Sequence, residues 1–169
     1  MSEQLTKYAF IDRDGTLIHE PTLKETKPGD VPYQIDSLGK LKILPGVING
    51  LQKLVAAGYR LVMISNQDGL GAEIFPRPSF DSPQNKLLEI CEDSGIIFEM
   101  ILICTHLPVD DCNCRKPKTG LVDNLPMMEN IDRVNSVVIG NSHTDKKFAE
   151  KLGLKFVEIK TNTTFKVIL

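Results

Sequence analysis

The sequence predicts an α/β fold in which an open, mostly parallel sheet is covered by helices on both faces. Five short apolar segments alternate with stretches of helical spacing, in the order β-α-β-α-β-α-β-α-β. The apolar segments are near-continuous runs of Val, Ile, Leu and Phe, which is typical of parallel strands buried on both sides. A chain of 169 residues has the size of one domain, so we expect residues 1–169 to form a single doubly wound, Rossmann-like domain.

The elements follow from local signals. The predicted strands are 8–11, 60–65, 98–103, 136–139 and 155–159, and the predicted helices are 47–58, 82–95, 119–131 and 144–153. Ser82 is the expected N-cap of the second helix, with Pro83 at its first position. Pro126 is expected to shorten or kink the third helix. Cys91 falls on an apolar helix face and is assigned to the core.

Two connections are longer than plain loops need to be. Residues 17–44 follow the first strand and read as a small insertion, and residues 104–118 follow the third strand. Loops of this length in compact domains are often functional.

Composition narrows the classes of partner. The net charge is -2 and no basic run is present, which argues against nucleic acid and anionic membranes as partners. The sequence shows neither a signal-peptide core nor an apolar run as long as a membrane span. The expected location is the cytoplasm.

Polar residues follow four of the five predicted strands. Ligands of doubly wound sheets bind beyond the carboxyl ends of the strands, so these residues should converge on one rim. They are Asp12, Asp14, Ser65, Asn66, Arg115, Lys116 and Asn141.

The stretch Asp12-Arg13-Asp14-Gly15-Thr16 ends the first strand with two acids one residue apart. Two carboxylates this close repel each other, and a divalent cation such as Mg²⁺ would offset the repulsion and hold a phosphate oxygen. One carboxylate can then act as a nucleophile that forms an aspartyl-phosphate. A solvated turn is the alternative interpretation.

The remaining rim residues suit a phosphate. Ser65 and Asn66 can donate hydrogen bonds, and Arg115 and Lys116 can offset negative charge. The alternatives are a helix cap or turn for the first pair and surface charges for the second. A third acid would complete a magnesium site, but the residue after the fourth strand is the neutral Asn141. Asp145, at the start of the last helix, is a further metal-ligand candidate or else only complements the helix dipole.

Four potential zinc ligands lie within eleven residues of the loop after the third strand: Cys104, His106, Cys112 and Cys114. A Cys₃His set suits tetrahedral Zn²⁺ and leaves no coordination position open, so the predicted zinc is structural. Separate thiols and a surface histidine are the alternative.

Together these motifs resemble the haloacid dehalogenase (HAD) superfamily of phosphatases. The resemblance implies a HAD-like fold, with Asp12 as nucleophile and Asp14 as general acid and base. It implies phosphate binding by Ser65 and Lys116, and Mg²⁺ ligation by Asp12, Asp14 and the residue at position 141. In the family that residue is an aspartate, so Asn141 should lower the affinity for a hard cation.

Within the superfamily, "FIDRDGTLI", "ISNQDGLG" and "CTHLPVDDCNCRKP" resemble the histidinol-phosphatase domain of bifunctional bacterial histidine-biosynthesis enzymes. The resemblance implies hydrolysis of L-histidinol phosphate, with an imidazoleglycerol-phosphate dehydratase domain, fused or separate, as partner. We assign Glu20 to the ammonium group of this substrate; a solvated loop residue is the alternative. Gln84 stands where relatives often have histidine, so substrate contacts there can differ. A heptose-type sugar bisphosphate phosphatase and, because of Asn141, a catalytically impaired phosphoryl-binding domain are the alternative functions.

Overall fold

A five-stranded, fully parallel sheet runs through the computed structural model, which describes residues 5–168. The strands are β1 (Tyr8–Ile11), β2 (Arg60–Asn66), β3 (Phe98–Cys104), β4 (Val137–Gly140) and β5 (Lys155–Glu158). Their order across the sheet is β3-β2-β1-β4-β5, so the first strand is central. The observed strand bounds agree with the predicted ones to within one residue at each end, and the predicted fold class is confirmed.

The strand register explains why the rim residues meet. Ile11, the last residue of β1, pairs with Met63 of β2 and Ile139 of β4. The backbone N–H of Asp12 then donates to the carbonyl of Ile139 at 2.9 Å. The residues that follow Ile11, Met63 and Ile139 therefore lie side by side at the carboxyl edge of the sheet, where β2 continues as far as Asn66.

Three α-helices connect the strands: α1 (Val47–Ala56), α2 (Arg77–Asp93) and α3 (His143–Leu152). Short 3₁₀ turns cover Leu38–Lys40, Pro108–Asp110 and Pro126–Met128. Apart from α2, the observed helices begin and end within two residues of the predicted bounds.

The prediction that the second helix starts at Ser82 is wrong. The helix begins five residues earlier, at Arg77, after an extended Pro76, and Pro83 lies inside it. The prolines near the start occupy the first turn, where a missing N–H costs nothing. Pro83 is buried on the same face as Phe80 and Leu87, so tertiary packing of this face favours a helix that the proline alone would interrupt.

The prediction of a helix over 119–131 is also wrong. The segment consists of turns and the single 3₁₀ turn Pro126–Met128. Pro126 forces the preceding Leu125 into an extended conformation (φ -80°, ψ 130°), which ends any helix there. Val122 and Met127 still point into the core and tie the segment to the sheet.

The core has two layers, one on each face of the sheet. Alternate residues of β1 point to opposite faces: Ala9 and Ile11 pack with the α1 and α2 side, whereas Tyr8 and Phe10 pack with α3. Cys91 of α2 is fully buried in the first layer, as predicted.

The insertion after β1 folds back over the carboxyl edge of the sheet. It is anchored by Ile18, which bridges to Ile43, and by the fully buried Ile35. Residues 31–34 of this insertion border the cavity described below. Within residues 5–168, none of the helices combines the length and the apolar character needed to cross a lipid bilayer.

Candidate active site

A cavity of about 370 Å³ opens at the carboxyl edge of the sheet. Every residue that the sequence assigned to catalysis or to substrate binding borders it, from four separate parts of the chain. They are Asp12, Asp14, Glu20, Ser65, Asn66, Arg115 and Lys116, and Asn141 borders it as well. Asp145 does not line the cavity; it is buried directly beneath.

Lys116 is a buried cation beside Asp12. Its ammonium group donates to Asp12 Oδ1 at 2.7 Å, to Asp145 Oδ1 at 2.6 Å and to the carbonyl oxygen of Ile64 at 2.8 Å. Burial alone would lower the pKa of Lys116, but the two carboxylates more than offset this and the pKa is raised. The lysine is therefore a fixed positive charge beside Asp12.

Opposing neighbours act on the pKa of Asp12. Burial and the nearby Asp145 raise its pKa to about 7, although Lys116 opposes the shift. A cation or a further donor at Asp12 Oδ2 would favour the ionised form. The side chain is thus held in place by Lys116 and faces the cavity.

Asp145 joins Lys116 to the start of α3. Its Oδ2 accepts hydrogen bonds from the Ser142 backbone and hydroxyl (3.0 and 2.6 Å) and from the Asn141 backbone (3.2 Å), which completes a capping box. The position at the helix N-terminus agrees with the dipole interpretation. Its assignment as a magnesium ligand stays a prediction.

Asn66 and Arg115 shape the cavity wall. The Asn66 side chain accepts from the Lys116 backbone N–H at 2.9 Å and donates to its carbonyl at 3.1 Å, so it fixes the lysine backbone. Arg115 forms an ion pair with Asp68 and donates to the carbonyl of His106 at 3.3 Å. The two residues therefore connect the cavity to the loop after β3.

Glu20 lies in the cavity on the insertion side. Asn162 clamps its backbone, accepting from the Glu20 N–H at 2.7 Å and donating to its carbonyl at 2.9 Å. Burial, followed by the charges of Asp14 and Asp145, raises the pKa of Glu20 to about 7. A cationic group entering the cavity would reverse this shift.

Two residues that contact Asp14, Gln67 and Arg13, were not predicted from the sequence. Gln67 donates to Asp14 Oδ2 at 2.7 Å and to the Ser65 hydroxyl at 2.8 Å. Gln67 lies two residues after Ser65, and this i, i+2 spacing was a signal that could have identified it.

Arg13 contacts the other oxygen of Asp14. Its Nε lies 2.8 Å from Asp14 Oδ1, and its guanidinium carbon lies 4.7 Å from the centre of the Phe80 ring. The side chain is fully buried, and none of its three guanidinium nitrogens forms a hydrogen bond within residues 5–168, so its contact with Asp14 is an ion pair without hydrogen-bond geometry. The local sequence does not predict that Arg13 is buried, because the aromatic ring that it packs on belongs to Phe80 of α2.

The oxygen atoms near Asp12 fit a magnesium ion. The side-chain amide of Asn141 places one of its two terminal atoms 3.0 Å from Asp12 Oδ2 and 3.2 Å from the carbonyl oxygen of Asp14. Octahedral Mg²⁺ with metal–oxygen bonds of about 2.1 Å separates neighbouring ligand oxygens by about 3 Å. When Oδ1 of Asn141 takes this position, its distances to Asp12 Oδ2 and to the Asp14 carbonyl oxygen are both close to this separation.

The Cys/His cluster in the loop after β3 fits zinc. The ligand atoms of Cys104, His106, Cys112 and Cys114 lie within 4.8 Å of one another. The three sulfur atoms are 3.1 to 3.6 Å apart, close to the separation of about 3.8 Å that tetrahedral Zn²⁺ imposes. The cluster could therefore hold a zinc ion after a small expansion.

Curated relatives resemble nearly the whole chain. This chain is 48% identical over 149 residues to the histidine biosynthesis bifunctional protein HisB of Actinobacillus pleuropneumoniae. The matched region covers 88% of this chain and 39% of that protein. Against HisB of Blochmanniella floridana the identity is 45% over 152 residues, covering 90% and 40%. The chain thus spans about two fifths of the length of these relatives.

Solved structures share the fold. A D,D-heptose 1,7-bisphosphate phosphatase from B. bronchiseptica, crystallised with magnesium and phosphate, superposes with a TM-score of 0.74 at 24% identity, over 89% of this chain and 79% of that one. The corresponding enzyme from Burkholderia thailandensis gives a TM-score of 0.58 at 21% identity, over 88% and 75%. At these identities the likeness concerns the fold.

Residues 7–161 match the family described as polynucleotide kinase 3 phosphatase. The match includes the two acids after β1, the Lys116 loop and Asn141. Together with the parallel sheet and the cavity at its carboxyl edge, it shows that the chain belongs to this family of HAD-like phosphatases.

Proposed function

We propose that this chain is a Mg²⁺-dependent phosphomonoesterase that hydrolyses L-histidinol phosphate through an aspartyl-phosphate at Asp12. The observation that carries the proposal is the position of Asp12: a buried carboxylate held by Lys116 and aimed into a cavity that Asp14 and Ser65 also border. The HisB relatives support the choice of substrate, because they are named for histidine biosynthesis.

The two oxygens of Asp12 have different surroundings. Oδ2 faces Asn141 and the candidate cation position, whereas Oδ1 lies beside Lys116. Oδ1 is therefore the oxygen that attacks phosphorus. The positive charge of Lys116 and the Ser65 hydroxyl stabilise the phosphoryl oxygens, on which negative charge builds up. Bound Mg²⁺, held by Asp12, the Asp14 carbonyl and Asn141, would neutralise charge shared between the carboxylate and the phosphate.

Asp14 moves the protons. As Oδ1 of Asp12 bonds to phosphorus, the bond to the ester oxygen breaks and Asp14 gives its proton to the departing alkoxide. Asp14 then takes a proton from a water molecule that attacks the aspartyl-phosphate, which releases phosphate and restores Asp12. Gln67 holds the Asp14 carboxyl in place by a hydrogen bond during these steps, and the Arg13 charge lies beside its other oxygen.

Glu20 is the proposed contact for the ammonium group of histidinol phosphate. It borders the same cavity and its backbone is fixed, so an ion pair there costs little ordering. The zinc is proposed to be structural: it would tie the loop that presents Arg115 and Lys116. A dehydratase domain, fused or separate, is the proposed partner, supported by the bifunctional names and greater length of the relatives. The proposed location is the cytoplasm, in keeping with relatives named for a biosynthetic pathway.

Phosphate release from L-histidinol phosphate in saturating Mg²⁺ tests the proposal. Asp12→Asn should lower kcat at least about a thousandfold, because it removes the nucleophile. Asp123→Asn, which changes an exposed acid that does not line the cavity, is the matched control and should leave kcat unchanged. Faster turnover of a sugar bisphosphate would favour the heptose-type alternative. Absence of turnover with either substrate would favour the phosphoryl-binding alternative.

A further inference from the structure

Asn141 holds the position where an acid would be expected to ligate the cation. Its side chain packs against Gly15, where the absence of a Cβ makes room for the amide: a Cβ there would lie 2.5 Å from the Asn141 amide nitrogen. The φ of Gly15 is 76°, which also disfavours other residues at this position. On one side the amide faces Thr161, and on the other it faces Asp12 and Asp14. The side chain is therefore confined to one place but can present either end to the acids.

The two orientations of the amide have different partners. With Oδ1 toward the acids, Nδ2 donates to the Thr161 hydroxyl at 2.9 Å, and Oδ1 accepts from the Thr16 hydroxyl at 3.1 Å. Oδ1 also lies 3.0 Å from Asp12 Oδ2 and 3.2 Å from the Asp14 carbonyl oxygen, and neither oxygen can donate a hydrogen bond to it. With Nδ2 toward the acids, it donates to Asp12 Oδ2 at 3.0 Å and to the Asp14 carbonyl at 3.2 Å, while Oδ1 accepts from Thr161. The second orientation replaces the two oxygen–oxygen contacts by hydrogen bonds without a cation.

We propose that the Asn141 amide is a two-position switch that substitutes for the cation in the metal-free protein. In the absence of metal its NH₂ group bridges Asp12 and Asp14. When Mg²⁺ binds, the amide turns by half a rotation, so that Oδ1 becomes the ligand and Nδ2 returns to Thr161. The neighbouring side chains need not move when the amide turns, because the hydroxyl of Thr161 can accept a hydrogen bond from Nδ2 or donate one to Oδ1.

An aspartate at this position could not do the same. It would add a third carboxylate beside Asp12 and Asp14 and would have no hydrogen to donate, so the metal-free site would be strained by repulsion. Asn141 thus lowers metal affinity for two reasons: it lacks a charge, and the cation must displace two hydrogen bonds. In return, it keeps the site ordered without metal. The inference rests on the proposed function, since it takes these oxygens as the metal ligands.

Metal binding and stability test the switch without measuring turnover. The proteins are the wild type, Asn141→Asp, and Asn124→Asp, which adds the same charge at an exposed loop position. In buffer without divalent ions, Asn141→Asp should unfold at a lower temperature than the other two. By calorimetry it should bind Mg²⁺ at least about tenfold more tightly than either, because the number of charged ligands sets the affinity.

A second readout follows the amide itself. In protein labelled with ¹⁵N-asparagine, saturating Mg²⁺ should shift the side-chain NH₂ resonances of Asn141, which are assigned as those missing from Asn141→Asp. Unshifted resonances despite Mg²⁺ binding, or equal Mg²⁺ affinity of wild type and Asn141→Asp, would overturn the switch and leave the phosphatase proposal intact. If Mg²⁺ binds to neither protein, both the switch and the metal-dependent function fail.

Discussion

The raised pKa of Glu20 allows a test of whether burial and neighbouring negative charges disfavour its ionised form. Burial, and then Asp14 and Asp145, raise its pKa from 4.5 to about 7. Between these values the folded state binds more protons than the unfolded state, so the free energy of unfolding falls as pH rises. The stabilisation from neutral Glu20 is fully present below pH 4.5 and is lost by about pH 7. Glu20→Gln, which is neutral at every pH, should therefore unfold at a higher temperature than wild type at pH 8 and at the same temperature near pH 4.

The same pKa sets the size of a binding effect. With a pKa of about 7, roughly one tenth of Glu20 is ionised at pH 6 and roughly nine tenths at pH 8. If ionised Glu20 pairs with the ammonium group, the ratio of the L-histidinol dissociation constant of Glu20→Gln to that of wild type should be about tenfold larger at pH 8 than at pH 6. Calorimetry in Mg²⁺-free buffer measures both dissociation constants. Comparing the two proteins at each pH cancels the titration of the ligand's own imidazole.

Two outcomes would refute the reasoning about Glu20. An affinity ratio that does not change with pH would show that the carboxylate does not contact the ammonium group. A melting temperature that falls in Glu20→Gln at pH 8 would show that the charged form is stabilised in the folded protein. Glu129→Gln, at an exposed position, is the matched control and should change neither quantity.

Two further variants test the buried lysine and the zinc cluster. Lys116→Met leaves Asp12 and Asp145 buried without their cation, and should lower the free energy of unfolding in urea by about 3–5 kcal/mol. Adding Asp145→Asn should restore part of this loss, and a change below about 1 kcal/mol for the single variant would contradict the assignment. Metal analysis should give about one zinc per chain in wild type and in the core variant Cys91→Ala, but less in Cys112→Ser. Equal zinc in all three proteins would contradict the cluster.

Much of the candidate site could be predicted because it depends on strand ends. Asp12, Ser65 and Asn141 each follow an apolar run, and the parallel order of these runs brings their ends to one edge. This reasoning needs only hydrophobic patterning and the geometry of parallel sheets. The helix bounds were harder: Pro83 lies inside a helix because its buried face packs on the sheet, and no local signal reports that packing.

The particular contacts of the site could not be predicted in this way. Arg13 is buried because α2 places Phe80 beneath it, although an arginine after a strand usually reaches solvent. Asn66 looked like a substrate contact, but its side chain also clamps the backbone of Lys116, fifty positions along the chain. Such contacts depend on how precisely the fold positions segments that are far apart in the sequence, which local sequence patterns do not report.

The amino-acid sequence by itself determined the parallel α/β fold, the acids at the end of β1 and the four candidate zinc ligands, since spacing and polarity along the chain carry this information. The tertiary structure decided that Lys116 bridges Asp12 and Asp145, and that the Asn141 amide lies against Asp12 and Asp14. The physical reason is the distance along the chain over which each kind of information acts. Hydrophobic periodicity is a local property of the chain, whereas the balance of buried charges depends on which side chains the folded sheet brings within hydrogen-bonding distance.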